Sequence, residues 1–153
     1  MSKSASRKTG LVALVGLGAI LLAGWSGPLA AGGSPDRKQC SQAEERAAED
    51  VVGRLKNWAA VYDAYVHFGH CDDGSIGQGF SESITILLSR RWDRLDDLRR
   101  LAAKDEKFES FVIRHIDLTV PVERLEVIAR YAQQQCGKGR ALCERIARRA
   151  GER

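Results

Sequence analysis

The chain has 153 residues, with 24 Lys or Arg, 20 Asp or Glu and a formal net charge of +4. Three basic residues and no acids fall in the first 32 positions, so the remainder carries 21 basic against 20 acidic side chains, a net +1. That near balance argues against the basic face of a nucleic-acid binder, and about 120 residues suffice for one domain with a modest core.

The N-terminus reads as an export signal. "MSKSASRKTG" supplies Lys3, Arg7 and Lys8, "LVALVGLGAILLAGW" is apolar, and "SGPLAAGG" offers small residues after Pro28. Basic, apolar and small-residue regions in that order define a secretory signal peptide over residues 1–32. Trp25 stands where a lipoprotein signal needs cysteine. The alternative is an uncleaved anchor over residues 11–25 in the inner membrane, but that run is short against the about 20 apolar residues a span requires. The expected location is periplasmic or secreted, with membrane contact only through an uncleaved leader.

Residues 33–40, "GSPDRKQC", form a linker to a single helical domain over 41–153. "SQAE" has the form of a capping box, Ser41 with Glu44. Val51, Leu55, Trp58, Tyr62 and Tyr65 recur at helical spacing and predict one long helix ending near Phe68-Gly69. After a glycine-rich turn, Phe80, Ile84, Leu87, Leu88, Trp92, Leu95, Leu98 and Leu101 predict a second helix to about Ala103. Asp105 is placed to cap a third, carrying Phe108, Phe111, Val112, His115 and Ile116. Pro121 opens a fourth, and a fifth runs from about Gly139 to Ala150. No segment alternates as a strand does, so the fold class is all-α, a bundle of four to five helices.

Four cysteines in an exported chain point to disulfide staples. A straight helix over 41–68 would hold Cys40 and Cys71 about 42 Å apart, beyond the reach of a direct bridge. Two disulfides therefore require that helix to start late or to break, near Gly53. Cys136 with Cys143 is the easiest single bridge, although Cys71 could claim either partner.

Most of the distinctive chemistry lies in "VHFGHCDDGSIGQGFSES", residues 66–83. His67 and His70 with a third ligand from His115 would suit zinc or copper, but no zinc signature of known spacing is present and Gly69 interrupts the pair. The acids and glycines lack the order of a calcium loop. "GSIGQG" has neither the preceding strand nor the "GK[ST]" of a phosphate loop. Ser81, Ser83, His70, His115 and Asp117 include nucleophile, base and acid types without a recognised elbow. The favoured reading is a structural corner. Asp72 and Asp73 would satisfy free amides, Gly74, Gly77 and Gly79 would permit positive φ, and Ser75 or Ser81 would cap the next helix. His115, on an apolar face, would pack toward Asp72 or Asp73, and Arg114 could pair with Asp117.

The "CDDG…GFSES" and "FVIRHID" segments resemble those of a group of small exported bacterial proteins of unknown function, over roughly residues 58–147. The resemblance implies that the corner and the third helix lie together, and it carries no catalytic residue. These readings lead to a non-enzymatic exported protein that binds a protein partner, of inhibitor, immunity or assembly type, without a cofactor. The alternative is a periplasmic zinc or copper binder using His67, His70 and His115.

Overall fold

A computed structural model describes residues 38–137 and 140–152. The predicted signal peptide over residues 1–32 lies outside the described residues, as does the predicted linker up to residue 37. Within the described residues seven α-helices and two short 3-10 turns form the chain, with no strand. The all-α class is as expected, and the rise from five helices to seven comes from two breaks.

The first break divides the predicted helix over 41–68. Helix α1 (Gln42–Val52) starts at the predicted capping box, with the Ser41 hydroxyl accepting from the Glu44 amide and the Glu44 carboxylate accepting from the Ser41 amide. Hydrogen bonds from the Lys38 ammonium and from Ser41 hold the Glu44 carboxyl far below its ordinary range. Residues 38–40, read as linker, are thus tied to the domain, Lys38 by this ion pair and Cys40 by a disulfide. At Gly53 the helix ends, and Ser83 from a later helix occupies the gap. Its hydroxyl donates to the Val52 carbonyl at 2.6 Å and accepts from the Leu55 amide at 3.2 Å. Asn57 then caps α2 (Trp58–Phe68) through the Ala60 amide. The break rotates the stripe, so Val52 rather than Val51 is buried, followed by Trp58, Val61 and Ala64.

Helix α3 (Gly74–Arg90) starts six residues before Phe80. The glycine-rich run is therefore helix rather than turn. Gly74 alone among the described glycines has a positive φ, +50°. Gly79 serves close packing instead. A Cβ there would sit 2.5 Å from Val52 Cγ2 and 3.2 Å from the Gly53 amide nitrogen, so only glycine lets α3 approach the end of α1. The second break, at Arg91, separates α3 from α4 (Leu95–Ala102) by a 3-10 turn. It turns the Trp92 ring toward Tyr131 and its indole N–H toward the Gln135 carbonyl.

Asp105 caps α5 (Glu106–Arg114) through two amides, as its position predicts. Pro121 stands at the N-cap of α6 (Val122–Gln134), and α7 (Arg140–Gly151) packs extensively on α6 as a hairpin. One apolar core joins all seven helices through residues such as Trp58, Phe80, Leu98, Phe111, Ile128 and Ile146. Phe80 meets Phe111 edge to face at 4.9 Å, a geometry that adds to area burial. Two disulfides close the fold, Cys40–Cys71 with Cα atoms 4.9 Å apart and Cys136–Cys143 at 6.2 Å. Breaking the first predicted helix removes the 42 Å separation, so the pairing a straight helix forbids is the one that forms.

Candidate functional site

The corner and the end of α5 meet in one buried polar cluster. A 3-10 turn, Gly69–Cys71, leads to Asp72, and the Asp73 side chain and carbonyl bind the first amides of α3. Asp73, not Ser75 or Ser81, is therefore the cap of this helix. Ser75 points away and donates to Glu49 of α1 at 2.6 Å.

Ser81, one turn and a half further along α3, faces inward at 2% exposure. Its hydroxyl lies 3.0 Å from His115 Nδ1 and 3.0 Å from Asp117 Oδ2. The other ring nitrogen of His115, Nε2, lies 3.2 Å from Asp72 Oδ1, within ion-pair distance but off hydrogen-bond alignment. The imidazole packs tilted against the Phe80 ring and edge-on against that of Phe111, the buried core histidine its apolar face predicted. Arg114 reaches Asp72 Oδ2 at 3.0 Å. It pairs with the corner, not with Asp117 three residues on, because Asp117 turns back to accept from the Thr119 amide at 2.8 Å.

The electrostatics follow from these contacts. Burial raises the Asp72 pKa, but the close His115 ring and the Arg114 guanidinium outweigh it and hold the carboxyl below its ordinary value. Asp117 likewise resists burial, held low by the Thr119 hydroxyl and amide and by Ser81. Burial pushes the Tyr65 phenol up, with Asp105 adding to the effect.

Ser81, His115 and Asp72 are the residue types of a nucleophile, base and orienting acid. Their placement suits a different task. The one proton of the Ser81 hydroxyl can serve Asp117 or Nδ1 but not both. Ser81 also lies inside α3, where backbone amides are spent on the helix ladder, so no pair of free donors stands ready for an oxyanion. Chemically the cluster is a clasp. It fixes the corner, α3 and the end of α5 to one another through the Ser81, His115, Asp117, Asp72 and Arg114 side chains.

A cleft of about 460 Å³ opens beside the clasp, lined by Asp73, Gln78, Arg114 and Thr119 among others. A second, of about 420 Å³, lies between α1 and α3 and shares Gln78 and Thr119 with the first. Between His115 and Pro121 the backbone leaves α5 without regular structure. In that segment Ile116 and Val120 are buried while Leu118 is 66% exposed.

The three histidines do not assemble into one site. His67 is exposed and its Nδ1 binds the Asp63 carbonyl at 2.7 Å, closing locally on its own helix. His115 belongs to the clasp. His70 stands apart from both, against Glu44 and the Cys40–Cys71 bridge. The helix ends at Phe68, in keeping with the interruption expected at Gly69, and the 3-10 turn re-aims His70. The contribution of Ser81 was concealed by the glycines around it. A serine three residues before the core residue Ile84 was the available signal.

No known family, curated protein or solved structure matches the chain.

Proposed function

We propose that the chain is an exported, non-enzymatic protein that binds a protein partner through the segment 117–121 and the clefts that flank it. The observation carrying this reading is Leu118. It is a large apolar side chain two-thirds exposed on a segment whose neighbours are locked by the Asp117 turn and by burial of Ile116 and Val120. An apolar group held out by a rigid support loses little conformational freedom on association. Val122, at 45% exposure, begins the next helix and extends the same stretch of chain. Two disulfides agree with an oxidising compartment, and among the described residues no helix is long and apolar enough to cross a membrane. Periplasmic residence and an inhibitory, immunity or assembly role belong to this proposal.

The test is native mass spectrometry of tagged protein recovered from a periplasm without reductant. Wild type is expected to carry a one-to-one partner, and Leu118→Glu to lose it. Val66→Glu, a charge placed on a side chain 57% exposed in α2, should retain the partner. Equal capture by both variants, or no partner with wild type, would overturn the reading.

A further inference from the structure

The surroundings of the Cys40–Cys71 bridge are unusual for a simple staple. Both sulfurs and a ring nitrogen of His70 lie within 4.8 Å of one another, and no other set of three such ligand groups occurs among the described residues. His70 is only 13% exposed in its side chain, and its Nε2 is buried without a hydrogen-bond partner. A buried polar atom left unpaired is destabilising, so its retention calls for a reason. Glu44 Oε1 lies 3.3 Å from this nitrogen, within ion-pair distance. Glu44 is anchored from the other side by Lys38 and Ser41, so the carboxylate stays beside the ring.

Two sulfurs and one imidazole are three donors that zinc accepts in tetrahedral geometry at about 2.0–2.3 Å, with a fourth position left to solvent. While the bridge is closed, the sulfurs are not thiolates and cannot serve as ligands. We propose that reduction of Cys40–Cys71 converts this corner into a zinc site, with Cys40, Cys71 and His70 as its ligands, solvent in the fourth position and Glu44 beside the ring. The electrons come from an external dithiol of the thioredoxin-fold class. One of its thiolates attacks a bridge sulfur, the Cys40–Cys71 bond breaks, and a mixed disulfide forms. Its second thiol then resolves that intermediate, leaving an oxidised donor and two cysteine thiols. Zinc displaces one proton from each thiol on binding, and neutral His70 donates a ring nitrogen. The Cα atoms are already 4.9 Å apart, so opening the bridge needs side-chain rotation rather than a new backbone path. Zinc would then hold the start of α1 to the corner in place of the covalent bond.

This site is separate from the clefts and from the partner-binding reading, and it differs from the trio His67, His70 and His115. The test is anaerobic titration of the full chain with Co²⁺, then Zn²⁺, before and after phosphine reduction and removal of the reductant. The oxidised protein is expected to give no thiolate-to-cobalt absorption. The reduced protein should take up one equivalent with tetrahedral d–d bands, which zinc then abolishes. His70→Ala should weaken binding by more than about tenfold, since even an outer-shell partner contributes that much. The Cys136→Ser, Cys143→Ser double variant should bind like wild type. Far-UV circular dichroism guards against unfolding, because zinc is expected to raise the melting temperature of the reduced chain. Absence of cobalt uptake after reduction would overturn the proposal. So would undiminished uptake by His70→Ala, or a reduced chain that zinc fails to stabilise.

Discussion

The two disulfides hold regions that are built differently. Cys40–Cys71 spans 31 positions and joins the start of α1 to the corner, where Asp72, Ser81, His115, Arg114 and Asp117 form a polar clasp. Cys136–Cys143 spans 7 positions and closes the turn of the α6–α7 hairpin, which already packs through Ile128, Ala132, Leu142 and Ile146. Its one conspicuous polar neighbour is Arg99, whose guanidinium donates to Cys136 Sγ at 3.0 Å and to Asp96. The lesson is that a cross-link matters most where little else fixes the chain. Apolar packing of adjacent helices sustains the hairpin, whereas the corner depends on a covalent bond and a few directional contacts.

The sharpest way to break this comparison is to remove the bridges one at a time. Loop-closure entropy assigns about 3.7 kcal/mol to a loop of some 31 residues and about 2.4 kcal/mol to one of some 7. Replacing Cys40 and Cys71 by Ser should therefore lower the unfolding free energy in urea about one and a half times as much as replacing Cys136 and Cys143. Equal losses would mean that the corner is held by its clasp and that the bridge is secondary.

The next effect separates the clasp from the cross-link. Asp72→Asn removes the charge facing His115 and Arg114, and should cost about 1–3 kcal/mol at pH 7. The pH dependence follows from the lowered folded pKa of Asp72 and of Asp117. The unfolded carboxyls, near 3.9, take up protons first as pH falls, so these groups contribute fully above about pH 5 and lose their contribution below about pH 4. Urea midpoints for the wild type should thus fall between pH 5 and pH 3. The decline should be shallower in Asp72→Asn, and an identical slope in the variant would remove Asp72 from the account.

A similar or smaller cost is expected at Gly79. Gly79→Ala drives a methyl against Val52 and the Gly53 backbone, an overpacking worth about 1–3 kcal/mol, with relaxation of Val52 bringing it toward the low end. Gly137→Ala meets no atom within 4 Å, so its thermal midpoint should remain near that of wild type. The pair compares glycine for close approach in the first region with glycine in open space in the second.

What sequence could reveal divides along the same line. Local devices were legible. The capping box at Ser41 and Glu44, the Asp105 cap, Pro121 at the start of α6 and the Cys136–Cys143 pairing all involve residues close in sequence. His115 packing toward the corner was also legible, because an apolar face and an adjacent aspartate pair limited its options. What failed depended on remote partners. Val51 and Leu55 continue a helical stripe, so the break at Gly53 followed only from the demand for two disulfides, and the Ser83 side chain that stabilises it was not legible. The glycines at 77 and 79 suggested a turn because their low helix propensity was visible, while the proximity of α1 that requires Gly79 was not. Arg114 found Asp72 for the same reason, across 42 positions of sequence.

The Ser83 hydroxyl has a consequence for the order in which the chain matures. Until α3 docks, the Val52 carbonyl and Leu55 amide lack their side-chain partner, and a continuous helix over 41–68 competes with the broken one. That straight form keeps the first two cysteines about 42 Å apart. Correct oxidation of the long loop must therefore follow docking of α3 against α1, while the seven-position loop can close as soon as its hairpin forms. A pulse of oxidant early in refolding should accordingly trap Cys136–Cys143 with Cys40 and Cys71 still free. Replacing Ser83 by Ala should prolong that one-bridge species.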